Sequence, residues 1–285
     1  MAAAGLPTTV LQQTWCPRRA DGAAAILGIG TANPTNCVRQ DEFADWYFRI
    51  YKSQHLTALK AKTKRICEKS GINKRHLHHI EEMIDAHPEI LDRDLPSLGT
   101  RLSLTADAVP DLAAAAARKA IAEWGRPAAD ITHLVVSSNS GAHSPGPDLR
   151  LARILGLNPA VQRTMLYLHG CSGGAAAIRV AKDLAENNHG ARVLVACVET
   201  FLTAFRAPDD DGDLISDLLS ITLFGDGAGA VIVCAGPMLM MSPTERPVFH
   251  IVSSSLTTVP GTERAVGIQM SETGLDIDVT ASTVA

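Results

Sequence analysis

Cys171 stands in Leu168-His169-Gly170-Cys171-Ser172-Gly173-Gly174, a thiol among glycines just before an alanine-rich run that reaches about Asn188. A thiol at a helix start faces unpaired backbone N–H groups and the positive end of the helix dipole, which favour the thiolate that attacks acyl groups. Free cysteine is also among the most buried residue types, where it behaves as a small hydrophobe. The local pattern leaves both readings open, because a lone cysteine needs a partner base to be read as a nucleophile. Lys62, Arg65 and Lys69 form a second candidate, since their i, i+3, i+7 spacing puts three cations on one face of a predicted helix. Lys and Arg bind phosphate through strong charge-assisted hydrogen bonds, so a polyphosphate would suit them; an ordinary solvated helix face competes.

Three other patterns imitate sites without completing them. Gly28-x-Gly30 runs into Thr31, Ala32 and Asn33 without the third glycine of a dinucleotide fingerprint. Asp209-Asp210-Asp211-Gly212-Asp213 resembles a calcium loop, but the twelfth position is Ser220 rather than glutamate, so a solvated acidic loop is expected. His76, His78 and His79 lack partners at metal-ligand spacing and read as a surface turn. No metal site is expected.

The elements that must position these residues follow from periodicity and punctuation. Apolar or β-branched runs at Ala24–Gly30, Thr132–Ser138, Arg192–Val198 and Val231–Val233 read as strands, with Thr164–Leu168 leading into the cysteine turn and a last strand at Phe249–Val252. Asp41–Lys69 reads mostly as helix, with Phe43, Trp46, Tyr47 and Ile50 near a 3.6-residue period. Ser103–Trp124, closed by Gly125, and Leu149–Leu155, before Gly156, complete the helices. Strand and helix in alternation make βαβ units and a layered α/β fold.

Composition sets the bounds. The 285 residues can bury a sizeable core, and 46% apolar with 20% charged residues is the balance of a soluble globular chain. No apolar run approaches the ~20 residues of a membrane span. With 26 basic and 30 acidic residues the net charge is −4, which offers nucleic acid no global attraction, so any anionic ligand must be held locally. Six scattered cysteines without a C-x-x-C pair argue against zinc and against a disulfide framework, and point to a reducing compartment. Residues 1–20, which lack the apolar core of a signal peptide, are expected to form a flexible tail of a cytoplasmic protein.

Beyond these local readings, most of the chain resembles the plant type III polyketide synthases, the chalcone synthase family. The resemblance is carried by Arg19–Asn36 (RADGAAAILGIGTANPTN), Leu59–His79 (LKAKTKRICEKSGINKRHLHH), Ala120–Gly146, Ala181–Val195 (AKDLAENNHGARVLV) and Leu223–Val233 (LFGDGAGAVIV). EWGRPAADITHLVV and NSGAH most resemble the curcuminoid-synthase-like branch.

Residue by residue, the resemblance implies that Cys171 is the acyl-accepting nucleophile and that Phe224 is an aromatic gate between coenzyme A tunnel and cavity. Lys62, Arg65 and Lys69 match coenzyme A phosphate contacts, and Asn139, Ser140, Glu199 and Ala204 match the cavity lining, enlarged where Ala204 replaces a bulkier residue. Ser172 takes the place of a phenylalanine beside the nucleophile, and Ser144 that of an apolar residue that reaches into a neighbouring subunit's site. The implied fold is the thiolase-like layered α/β/α/β/α arrangement, usually dimeric. Residues 21–236 would form its N-terminal half and 237–285 only the start of the second, a truncation that should leave apolar faces uncovered.

The implied reaction joins an acyl-CoA starter to malonyl-CoA without a cofactor, and the implied partners are CoA thioesters and a second subunit, of this chain or of a homologue. Family members also carry a histidine in a W-x-x-H-P-G-G-like segment and an asparagine in a G-N-M-S-like segment. Neither segment occurs in these 285 residues.

Overall fold

The computed structural model describes residues 19–20, 22–208, 215–236, 245–262 and 265–279. In chain order the elements are β1 (Ala24–Ala32), β2 (Cys37–Arg39), α1 (Gln40–Ile50), α2 (Thr57–Lys69), β3 (Lys74–His76), α3 (Glu81–Asp85), α4 (Pro88–Leu91) and α5 (Leu98–Trp124). Then follow β4 (His133–Ser138), α6 (Pro147–Leu155), β5 (Gln162–Tyr167), α7 (Gly173–Asn187), β6 (Arg192–Glu199), α8 (Ile215–Leu223), β7 (Gly227–Ala235), β8 (Phe249–His250), β9 (Val266–Ser271) and β10 (Gly274–Val279). The acidic loop Asp209–Asp213 and most of the expected N-terminal tail lie outside the described residues.

Six strands form one mixed sheet in the order β5-β4-β6-β7-β1-β8, with β4 parallel to both β5 and β6 and the remaining pairs antiparallel. Its central strands β4 and β6 are buried along almost their whole length because both faces are covered. Leu134 and Val136 of β4, with Leu194 and Ala196 of β6, pack toward α5 and α6, while Val135, Val193 and Val195 point to the other face. There α7 presents Ala177, Ala181 and Ala185, one buried residue per turn, so that the helix lies close on the sheet.

The Gly28-x-Gly30 pair has its role here. A methyl group on Gly30 would meet the Ala116 carbonyl oxygen at 2.1 Å, and one on Gly28 the Ala120 carbonyl oxygen at 2.4 Å. These glycines let α5 descend onto β1, which is a packing function and not a phosphate one.

A second cluster, rich in aromatics, joins α1, α2, α8 and the loop after β6 around Phe43, Tyr47, Phe48, Phe201 and Phe205. The single helix expected over Asp41–Lys69 is therefore two, α1 and α2, separated by a turn in which Lys52 takes φ 52°. Residues 51–56 hold neither glycine nor proline, and the break comes instead from folding α2 back against α1. The long helix starts at Leu98, five residues earlier than expected, and passes through the buried Pro110 without ending. The strand expected over Phe249–Val252 is only two residues long, and the hairpin β9–β10 was not foreseen at all.

His79 corrects the surface-turn reading. Its ring is fully buried, 4.2 Å from the Phe205 centroid, and burial pushes its pKa down to about 3, so it is a neutral core residue. Among the described residues no histidine, cysteine or carboxylate cluster could hold a metal, and no helix is long and apolar enough to cross a membrane.

Candidate active site at the strand-to-helix turn

The parallel strands β4, β5 and β6 all end at the same edge of the sheet, which is where α/β folds place their ligands. Between β5 and α7 the chain turns sharply, with Leu168 at φ 56° and Gly170 at φ 60°. A left-handed leucine costs energy and is held only where its surroundings impose it. A short 3₁₀ turn, Gly170–Ser172, separates the strand from α7, so Cys171 sits one turn ahead of the helix proper. The cysteine is exposed, which removes the buried-hydrophobe reading.

Cys171 opens on a cavity of about 670 Å³. Asn139 and Ser140 line it from the end of β4, Glu199 from the end of β6, Ala204 from the following loop and Phe224 from the end of α8. Six of the nine residues singled out in the sequence therefore share one space. Ser172, where the resembling family has phenylalanine, is exposed and donates its hydroxyl to the His169 carbonyl at 2.8 Å.

Glu199 is the dominant charge-bearing group in the cavity wall. Its Oε1 accepts from the Asn139 backbone N–H and from Asn139 Nδ2, each at 2.9 Å, and the Ser140 hydroxyl lies 3.2 Å from Oε2. Ser140 also reaches the Thr200 carbonyl at 2.8 Å, the shorter of its two options. Burial outweighs these hydrogen bonds and pushes the Glu199 carboxyl up to about 7. Asp226 nearby is likewise raised by burial, to about 6.

Asp226, unremarked in the sequence apart from its place in LFGDG, ties together three loops. Its carboxylate accepts from the backbone N–H of Phe201 at 2.6 Å and from that of His78, and its own N–H donates to the His76 carbonyl at 2.7 Å. Arg75 holds the end of α8: Nη1 donates to the Ile221 and Phe224 carbonyls at 2.7 Å each, Nε donates to Gln40, and the guanidinium lies 3.8 Å from the Phe43 ring centroid. The backbone of Phe224 is thus fixed while its ring, 5.8 Å from that of Phe201, faces the cavity.

The hairpin β9–β10 closes another side with Val266, Ile268, Leu275 and Ile277. It is fastened by the Ser97 and Leu98 N–H groups to the Glu272 carbonyl, and by Arg206 to Thr273 Oγ1 at 2.8 Å and to Asp276. Its period-2 signal, apolar at 266, 268 and 270 and again at 275, 277 and 279, was present in the sequence. His169 also lines the cavity, two residues from the thiol.

Lys62, Arg65 and Lys69 are not among the cavity residues. They lie on α2, which packs against α8 and buries Thr63 and Cys67 on its inner face. Among the described residues no carboxylate pairs with any of the three, whereas Lys60 and Lys64 are both bound to Asp45, at 2.7 and 2.9 Å.

Comparison with known proteins agrees with this architecture. Residues 12–237 match the N-terminal domain of the chalcone and stilbene synthases. The chain is 57% identical over 277 residues to bisdemethoxycurcumin synthase of Oryza sativa subsp. japonica, an overlap that takes in 95% of this chain and 67% of the relative. Thiolase-like layering, an exposed cysteine at the strand-to-helix turn and this match together establish that the chain belongs to the chalcone and stilbene synthase family, the type III polyketide synthases, transferases that act on CoA thioesters without a cofactor.

Proposed function

We propose that this protein accepts an acyl group from a phenylpropanoid-type acyl-CoA on Cys171 and belongs to the machinery that extends it with malonyl-CoA. The observation that carries the reading is the exposed Cys171 at the wall of the 670 Å³ cavity. In the first step the Cys171 thiolate attacks the thioester carbonyl, the bond from that carbon to the coenzyme A sulfur breaks, and coenzyme A leaves as a thiolate that takes a proton from water. Phe224 acts as gate, Asn139, Ser140, Glu199 and Ala204 shape the space for the acyl chain, and Lys62, Arg65 and Lys69 hold the coenzyme A phosphates. The curcuminoid name of the rice relative supports an aromatic starter.

Residues 21–236 are read as one N-terminal domain and 237–285 as the beginning of a second. The same reading carries a cytoplasmic location and a homodimer, or a heterodimer with homologous synthases. Intact-mass analysis after incubation with a cinnamoyl-type CoA tests the acyl transfer. A single acyl adduct that maps to Cys171 is expected; no adduct, or one shared equally with Cys37, would overturn it.

A second reading rests on a specific observation, the lack of both the W-x-x-H-P-G-G-like and the G-N-M-S-like segments in these 285 residues. Decarboxylation of malonyl-CoA needs donors for the enolate oxygen, and in the family those segments supply them. On this reading the polypeptide is impaired in condensation and acts by pairing with full-length homologues. Co-purification with a tagged homologue, absent when the tag partner is an unrelated dimer, is the expected result.

A further inference from the structure

We propose that Glu199 and Asn139 are positioning residues for the Cys171 thiol: the buried carboxyl orients the Asn139 amide, and that amide holds the turn that carries the nucleophile. The inference rests on the reading of Cys171 as acyl acceptor and goes beyond cavity lining, the role that the family resemblance implies for both residues.

The two ends of an asparagine amide are nearly alike in shape and opposite in hydrogen bonding, so neighbours decide which way it faces. Glu199 Oε1 takes the Nδ2 end at 2.9 Å. The Oδ1 end is thereby turned toward the Gly170 N–H, which donates to it at 2.9 Å. Reversing the amide would set its NH₂ against the Gly170 donor and its oxygen against the Glu199 oxygen. The Asn139 backbone N–H is bound to the same carboxyl, at 2.9 and 3.1 Å, so Glu199 fixes both the backbone and the side chain of this residue.

The object of this arrangement is the strained start of the turn that carries the thiol. Leu168 and Gly170 both adopt left-handed backbone angles, and Gly170 is the residue directly before the thiol. The turn is tethered to the end of β4 by the Leu168 N–H to the Ser138 carbonyl at 3.3 Å and by Gly170 to Asn139 at 2.9 Å. The shorter tether is the one Glu199 controls. Glu199, Asn139 and Gly170 come from the ends of β6 and β4 and from the turn after β5, so the relay joins three strands at the cavity edge.

Hydrogen exchange and thiol alkylation of the 285-residue protein test this directly. In wild type, the Gly170 amide should be protected and Cys171 should label with iodoacetamide faster than the exposed Cys37. Asn139→Ser, too short to reach Gly170, should speed Gly170 exchange and slow Cys171 labelling, each by about three- to tenfold, the range expected of one hydrogen bond. The β6 amides from Val193 to Val198 should keep their wild-type exchange, which a merely structural loss would not allow. Glu199→Leu should reproduce both changes, and Glu199→Gln, which keeps an acceptor at Oε1, should restore wild-type behaviour to within about threefold. If Glu199→Leu fails to fold, Asn139→Ser and Glu199→Gln still decide. Gly170 exchange and Cys171 labelling unchanged in Asn139→Ser would overturn the positioning role alone. Wild-type Cys171 that labels no faster than Cys37 would remove the nucleophile and the proposal with it.

Discussion

Gly173, the first residue of α7, lies so close to Ser137 of β4 that a methyl group on it would come within 2.5 Å of the Ser137 hydroxyl oxygen but 3.7 Å from its Cβ. The contact sets how near the start of α7, just after Cys171, approaches the sheet. Glycine there is needed for space alone, because the backbone is ordinary right-handed helix and would accept alanine.

Gly173→Ala should therefore cost about 1–3 kcal/mol, the range of a small overpacked core, and slow the labelling of Cys171. The double variant Gly173→Ala, Ser137→Ala turns the clash into ordinary contact and should recover most of the loss. Urea unfolding of the two singles and the double gives the coupling energy; additive effects would mean that the Ser137 hydroxyl simply rotates away.

Stability should fall as pH rises through neutrality. Glu199 is pushed up to about 7 and Asp226 up to about 6, both above the unfolded range near 4, so the folded state binds more protons than the unfolded chain between about pH 4 and 7. The stability these groups contribute is then present below about pH 4 and is lost progressively up to about pH 7. From pH 5 to pH 8 the decrease should be on the order of 2 kcal/mol, and Glu199→Gln should flatten it. Urea midpoints at the two pH values measure it, and a rise toward pH 8 in wild type would contradict the sign.

Lys62, Arg65 and Lys69 have no carboxylate partner among the described residues, unlike Lys60 and Lys64 on the same helix. If they hold coenzyme A, Lys62→Ala should weaken binding by about tenfold, because a charge-assisted hydrogen bond contributes ~1.5–3 kcal/mol. Lys64→Ala should leave affinity unchanged. Calorimetry with coenzyme A compares the two; equal affinities for both variants and wild type would assign all five cations to the solvated surface.

Much of the fold was legible because burial writes itself into composition. The runs around Leu134–Val136 and Val193–Ala196 are apolar throughout, and Gly125 and Gly156, both left-handed, end their helices as their positions in the sequence suggest. The break between α1 and α2 was hidden, since Tyr51–Leu56 contains no breaker and only tertiary packing imposes the turn. His79 was misread because hydrophilic neighbours at 76 and 78 masked a ring packed on Phe205.

The site divides in the same way. Cys171 was visible through its glycines, yet Asn139 is 31 residues from Gly170 and 60 from Glu199, and no local pattern records hydrogen bonds over such separations. Asp226 and Arg75 act by fastening backbone to backbone, which side-chain motifs do not reveal.

The 285-residue polypeptide on its own should make no polyketide. Loss of one oxyanion donor commonly costs ~10²–10³ in rate, and here both family donors lie in segments these residues do not contain. Purified protein with malonyl-CoA and a cinnamoyl-type CoA should give background product only, while a fusion to a homologue's C-terminal half should recover turnover that depends on Cys171. Robust Cys171-dependent product from the unfused protein would show that another group, with His169 the nearest candidate in sequence, supplies the missing function.

Glu245 gives the sheet a dependence that the family boundary conceals. Its carboxylate is wholly enclosed and binds Arg192 through two contacts of 2.7 Å, the Trp124 indole N–H at 2.8 Å and Arg126 at 3.2 Å, while Val248 and Ile251 continue to pair with β1. A fragment cut at Gly236, close to where the match to the N-terminal domain ends, would remove this carboxylate together with the segment that covers Arg192 and Trp124, leaving the guanidinium without its counter-charge and β1 without the pairing of Val248 and Ile251. An N-terminal fragment made for expression should therefore extend past Ile251, which keeps both the Arg192 counter-charge and the outer pairing of β1.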